Sequence, residues 1–194
     1  MKVYFHLSIN GFSNSYLVKN PITKEALIID PGTITQEIIN QIENEHYNLV
    51  AVLITHHEIN NTRGVPTLRC IYSPKIYTAD LGIAGNDTIV LKGDGSFKAA
   101  GLNIKYLSMP GHTSDSLCFK IGRVIFTGDA LTAGLTGNSS NSYAEKNLLT
   151  NIEKKIFSQT DNTIIMPGQG PPSSVKAEKK FNLSFLKLEK HDLH

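Results

Sequence analysis

Cysteine is scarce in this chain: Cys70 and Cys118 are its two thiols in 194 residues. A framework of several disulfides is therefore excluded, and no charged, apolar, small-residue leader opens the sequence. That pairing points to a reducing compartment, and a cytoplasmic protein is the expectation. Charge of one sign is lacking too, because 19 basic residues face 17 acidic ones for a net charge of +2. Apart from the short cluster at Lys176–Lys180 no basic stripe forms, so a nucleic-acid partner is not expected. No apolar run approaches the ~18–20 residues needed to cross a bilayer, and a membrane partner is not expected either.

What is present is an ordinary globular composition, 40% apolar and 19% charged, at the length of one large domain. Residues 1–194 are read as a single domain. Short β-branched and apolar runs recur, among them KVYFHLSI, NSYLV, EALIID, VAVLIT, KIYTAD, DTIVLK, LNIKYLSM, SLCFKIG, RVIFTGD and NTIIMPG. Many of them read as strands, bounded by Gly, Asn, Asp or Pro. Helical spacing is found in TQEIINQIENEHY, where Ile38, Ile39, Ile42 and His46 share a face and Thr35 stands ready to cap. It returns in SYAEKNLLTNIEKKIFSQ and again from about Val175, where Phe181, Phe185 and Leu188 would close the fold. The Gly-rich GDGSFKAAG lacks the strand-to-helix setting of a phosphate loop and reads as a hairpin connection. Both cysteines lie in apolar surroundings and are expected to be buried, inert thiols.

The unusual polar residues collect where apolar runs end: Asp30-Pro31-Gly32, Thr55-His56, Pro110-Gly111-His112, Thr127-Gly128-Asp129 and Pro167-Gly168-Gln169-Gly170. Loops carried on a rigid scaffold are where binding and catalytic groups concentrate.

Taken in order, NSYLV, ALIIDPG, THHEINNTRG, MPGHTSDSLCFKIGRVIFTGDAL and IIMPGQGPPSSVKAEKKFNLSFL resemble the metallo-β-lactamase superfamily, in particular its short, glyoxalase II-like branch. The resemblance implies an α+β or α/β fold built as a four-layer αβ/βα sandwich, with a metal site at the edge between two sheets. Family members show His-x-His-x-Asp-His after the strand. Here the frame reads His56, His57, Glu58, Ile59, Asn60, Asn61, and Gln169 stands where the family carries its last histidine. Three of the seven ligand positions are retained, and one is conservatively changed.

These changes fall on one side. By the resemblance, one ion belongs at His56, Glu58 and His112, with Asp129 bridging to a second ion at Asn60, Asn61 and Gln169. The first set keeps imidazole and carboxylate donors; the second has become neutral amides, which are poor ligands for a transition metal. One divalent ion with Glu58 and Asp129 sums to zero charge, whereas a second would leave a surplus at a half-buried edge. The expectation is a single divalent ion, zinc, iron or manganese, beside a degenerate second position.

Glu58 could be a ligand or a proton-transfer group, and Asp129 could share that second duty. Asn60, Asn61 and Gln169 are expected to stitch loops together, Asp30 to support the site from behind, and His57 to be a bystander. The expected activity is hydrolysis of an ester or thioester-like small molecule. Two rivals accompany it: a non-catalytic descendant of the fold serving as a binding or regulatory module, and a mononuclear iron redox enzyme resembling persulfide dioxygenases. The segment usual after the TGD motif is replaced by Ala133-Gly134-Leu135-Thr136-Gly137-Asn138, which weakens the likeness to enzymes acting on glutathione thioesters.

Overall fold

Alternation along the strands decides the architecture. In the run Asn14–Asn20, Tyr16 and Val18 face one apolar cluster while Leu17 faces another, so both sides of this strand are covered. The computed structural model describes residues 1–8, 11–83 and 85–186.

The first sheet starts as an antiparallel meander of β1 (Lys2–Leu7), β2 (Asn14–Asn20) and β3 (Glu25–Ile29). Onto it β4 (Asn48–Leu53), β5 (Lys75–Thr78) and β6 (Thr88–Val90) add in parallel. A parallel neighbour needs a crossover. α1 (Gln36–Glu43) supplies the first, and the short α2 (Ile59–Thr62) with α3 (Val65–Tyr72) supplies the second. Thr35 starts α1 as expected, its side chain accepting from the Ile38 amide.

The second sheet is built from β7 (Gly95–Ala99), β8 (Leu102–Ser108), β9 (Leu117–Ile121) and β10 (Val124–Gly128). After a separate hairpin of β11 (Leu131–Thr132) and β12 (Leu135–Thr136), α4 (Ser142–Ile152) runs into one wider helical turn at Glu153–Phe157. β13 (Ile164–Pro167) then joins β10 in parallel, β14 (Ser173–Ser174) closes the edge, and α5 (Val175–Phe181) follows. The sheet orders are β1-β2-β3-β4-β5-β6 and β14-β13-β10-β9-β8-β7.

Three apolar clusters make the layers. The central one holds Tyr16, Leu27, Leu53, Phe119 and Phe126 between the sheets. A second buries Ile38, Ile42, Val65 and Leu68 of α1 and α3 on the outer face of the first sheet. The third buries Leu148, Ile152 and Val175 of α4 and α5 against Ile125 and Ile165. The result is helix, sheet, sheet, helix, the expected four-layer sandwich. No helix among the described residues is long and apolar enough to cross a membrane.

Several local expectations need correction. His46 is not on the buried face of α1: the helix ends at Glu43, and His46 sits exposed with φ 55°. The sequence pattern does not reveal α3, since only Val65 and Leu68 of its eight residues are buried and Pro66 lies in its first turn. GDGSFKAAG is more than a connection, because Gly95–Ala99 forms β7 and only the turn at Ala100-Gly101 joins it to β8. Cys70 is exposed, whereas Cys118 is buried. Phe181 is 60% exposed, so of the closing residues Phe185 does the packing, 4.7 Å from the Phe157 ring. Leu188, His191 and His194 lie outside the described residues.

One end of the sandwich is tied together across the sheets. Leu117 N donates to Thr55 O at 2.7 Å, Asn14 N to Gly168 O at 2.7 Å, and the Tyr16 hydroxyl to Pro167 O at 2.6 Å. The ends of β2, β4, β9, β10 and β13 are therefore fixed relative to one another, and the candidate site is built on them.

Candidate metal centre

His56 follows β4, His112 sits in the turn between β8 and β9, and Asp129 directly follows β10. Although 17 or more residues separate them in sequence, one ligand atom from each lies within 4.8 Å of the others. The His56 and His112 rings meet edge to face with centroids 5.1 Å apart. Gly128 makes the approach possible: at φ 51°, a Cβ there would stand 2.3 Å from Thr55 Oγ1.

Glu58 lies outside that tight group of three, but its Oε1 is 3.7 Å from both His56 Nε2 and His112 Nε2. Its side chain is 42% exposed, at the mouth of the site.

Each imidazole is held from behind. His112 Nδ1 is 2.8 Å from the Asn138 carbonyl, an acceptor only, so Nδ1 carries the proton and Nε2 presents its lone pair. Thr55 Oγ1 donates to Asp30 Oδ2 at 2.7 Å and lies 3.1 Å from His56 Nδ1, so it accepts from that nitrogen. Asp30 Oδ1 also accepts from the Thr55 amide at 2.8 Å. An imidazole whose far nitrogen donates to a carbonyl or to a carboxylate-backed hydroxyl is oriented as metal-binding histidines are.

Burial pushes the Asp30 carboxyl up to about 7 against the pull of those two hydrogen bonds. Burial likewise holds His56 below the ordinary histidine value, favouring the neutral ring. For Asp129 burial raises the carboxyl, while His56 and then His112 draw it back down.

The three amides divide. Gln169 Nε2 donates to Asp129 Oδ2 at 2.6 Å. Asn61 Nδ2 lies 3.1 Å from His56 Nδ1 and 3.4 Å from Nε2. Asn60 turns elsewhere, its amide against Gly11, where an added Cβ would stand 2.4 Å from Asn60 Oδ1. His57 also turns aside, pairing with Asp80 through Nδ1 while its amide donates to Asp115 Oδ2 at 2.7 Å.

The donor set fits a divalent cation. Buried His112 Nε2 and Asp129 Oδ1 have no hydrogen-bond partner among the described residues, although each belongs to the cluster. Buried polar atoms are rarely left so, and a cation at the centre would satisfy both. The cluster opens into a cleft of about 320 Å³ walled by Glu58, Thr132, Leu135, Thr136 and Gln169. Two contributors were not foreseen. In sequence Thr55 marks only a strand end, and the role of Asn138 is played by its backbone carbonyl, which leaves no mark on side-chain pattern.

No family model matches the chain. It is 30% identical over 177 residues to an uncharacterised protein of Treponema pallidum, covering 90% of this chain and 94% of that one. A protein of Streptococcus pyogenes described as a probable metallo-hydrolase is 26% identical, with 95% and 90% covered. The hydroxyacylglutathione hydrolase of Chromohalobacter salexigens is 26% identical over 84% of this chain, but over only 64% of its own length. Among solved structures, a metallo-β-lactamase from Staphylococcus aureus superposes with a TM-score of 0.86 at 23% identity, covering 95% of this chain and 62% of that one. ETHE1 from Myxococcus xanthus gives 0.82 at 21% identity, covering 94% and 84%.

The protein therefore has the metallo-β-lactamase fold. With relatives described as a probable metallo-hydrolase and a hydroxyacylglutathione hydrolase, it is a glyoxalase II-like protein of that fold.

Proposed function

We propose that this chain is a hydrolase using one divalent ion, held by His56, His112 and Asp129 with Glu58 as fourth donor or proton acceptor, on an ester or thioester-like small molecule. The observation that carries the reading is the division of labour between the two oxygens of Asp129. Oδ2 is occupied by the Gln169 amide at 2.6 Å, while Oδ1 is left without a partner beside the imidazoles. A carboxylate bridging two ions through both of its oxygens would need Oδ2 for metal as well. With Asn60 turned toward Gly11, little remains to hold a second ion.

A divalent metal in this set would supply Lewis-acid polarisation and water activation. The chain's own residues supply the rest. Glu58, 3.7 Å from both Nε2 atoms and half-exposed, is placed to accept a proton at Oε1 from a nucleophile entering the cleft. Gln169 keeps Asp129 from rotating, so its oxygens hold separate roles. Thr132 and Thr136 line the cleft, and the volume of about 320 Å³ suits a small acyl compound.

Two histidines and one carboxylate also form the donor set of mononuclear ferrous enzymes, which favours an iron redox enzyme as the second reading. Elemental analysis of protein purified without chelator, followed by ester and thioester assays and oxygen-uptake measurement, separates the alternatives. About one ion per chain with chelator-sensitive hydrolysis supports the proposal. Two ions per chain overturn the single-ion site. Iron-dependent oxygen uptake without hydrolysis transfers the reading to redox chemistry. No metal, even after reloading, leaves a non-catalytic binding module.

A further inference from the structure

Glu178 is an anomaly the site does not explain. It is a carboxylate only 2% exposed, on the short helix α5, yet no cation faces it within ion-pair distance among the described residues. Its partners are amides. Gly134 N donates to Oε2 at 3.0 Å and approaches Oε1 at 3.3 Å, and Asn182 Nδ2 donates to Oε2 at 2.7 Å.

Gly134 is the tip of the β11–β12 hairpin, and the grip there is two-sided. Leu183 N donates to Gly134 O at 2.8 Å, so both backbone groups of that one residue are taken, one by α5 and the other by the segment after it. Two residues on, Thr136 N and Thr136 Oγ1 each lie 3.1 Å from Ser184 Oγ. Asn182 Oδ1 accepts from Ser184 N at 3.1 Å, which locks the clasp to itself.

The hairpin matters because of what stands at its two ends. Asp129 stands two residues before it. Asn138 stands two residues after it and offers the carbonyl that receives His112 Nδ1. Between them Gly137 lies so close to the site that an added Cβ would stand 2.1 Å from Asp129 O and 3.2 Å from His112 Nδ1. The hairpin has only two paired positions of its own, Leu131 with Thr136 and Thr132 with Leu135. A ribbon that short is not stable alone.

We propose that the Glu178–Ser184 clasp is a positioning device for the metal centre: by fixing the β11–β12 hairpin it holds the Asn138 carbonyl on His112 and so selects the His112 tautomer whose Nε2 faces the cluster. Glu178 is the positioning residue in that device. The inference rests on reading His112 as a ligand, but not on what reaction the site performs. Partners that orient a ligating histidine from behind typically change metal affinity roughly 10–100-fold when removed.

The test uses the full chain and two variants, Glu178→Ala and Ser184→Ala. In metal-free protein, long-range proton–nitrogen correlation spectra distinguish the two neutral tautomers of each histidine. The clasp predicts that Glu178→Ala speeds amide exchange at Gly134 and Thr136, and mixes the His112 tautomers. His56, held by Thr55 and Asp30, keeps its pattern and serves as the internal control. Zinc affinity, measured by competition with a chromophoric chelator, should fall roughly tenfold. Ser184→Ala, which removes only the Thr136 contacts, should move the same readings less.

Faster exchange at Gly134 with an unchanged His112 spectrum and unchanged zinc affinity would overturn the proposal, because the hairpin would then be a wall and nothing more. Should Glu178→Ala fail to fold, Ser184→Ala decides alone, and a variant indistinguishable from the parent in tautomer and affinity overturns it. Because the tautomer is read without metal or substrate, a chain that proves to hydrolyse nothing leaves this result standing.

Discussion

Gln169 donates to Asp129 Oδ2 across 2.6 Å, so the residue standing where the family carries its last histidine has become a hydrogen-bond donor to the shared carboxylate. A donor at that place competes with a cation for the same lone pair. Restoring metal donors at Asn60, Asn61 and Gln169 should therefore reopen a second position. The triple variant Asn60→Asp, Asn61→His, Gln169→His should raise bound zinc from about one to about two ions per chain. Gln169→His alone should stay near the lower figure, since Asp129 and one imidazole hold an ion poorly. Elemental analysis after dialysis reads both; a triple variant that remains at one ion counts against the single-sided erosion of the site.

Removing the metal should lower stability, since a ligand that binds only the folded chain stabilises it by about 2.7 kcal/mol at a hundredfold excess over Kd. At this chain length that corresponds to a fall in Tm of roughly 5–10 °C on adding chelator. In the double variant His56→Ala, His112→Ala the shift should vanish, because two of the three clustered donors are gone. Scanning calorimetry with and without chelator measures both, and an equal chelator response in parent and variant would refute assignment of the ion to this cluster.

Much of this was legible in the residues, for physical reasons that also mark where legibility stops. Strands such as β2 and β10 announce themselves because both faces are buried, and α1 because Thr35 caps it and Ile38 and Ile42 recur one turn apart. α3 hides because two buried side chains in eight make almost no periodic signal. Among site residues, Asp30, His56, His112 and Asp129 stand out as polar groups ending apolar runs. The Asn138 carbonyl and the Gly134 amide do not, since every residue has a backbone and only the fold decides whose is used. Exposure of Cys70 escaped for a related reason: an apolar neighbourhood in sequence says nothing about which way an unrecognised helix turns.

The two thiols should separate cleanly. Cys118 is buried on β9 with its Sγ 3.7 Å from Thr127 O, and burial pushes its thiol up to about 12. Thiolate is the reactive form, so Cys118 should be silent in the folded protein while Cys70 on α3 reacts. An aromatic disulfide reagent should label one thiol per chain at neutral pH and the second only as urea unfolds the protein. Rapid labelling of both in native buffer would contradict the burial of β9 against α4.

Arg69 and Asp87 offer a pH test remote from the metal. From the last turn of α3, Arg69 Nε donates to Asp87 Oδ2 at 2.8 Å and Nη2 donates to Oδ1 at 2.9 Å, pinning the helix beside the edge strand β6. The guanidinium holds the Asp87 carboxyl below the usual carboxylate range. A depressed acid binds fewer protons folded than unfolded, so its stabilisation is complete above the unfolded value near 4 and disappears as pH falls through the folded one. With a side chain 27% exposed, the bidentate pair should contribute on the order of 1 kcal/mol. Asp87→Asn should therefore lower the urea midpoint at pH 7 and at pH 5 alike. The gap between variant and parent should close only as the pH falls through the folded value, below the usual carboxylate range, where the parent's carboxyl is neutral as well. A gap that widens in acid would mean that Asp87 is not held as an anion by Arg69, and that β6 is secured to α3 by some other contact.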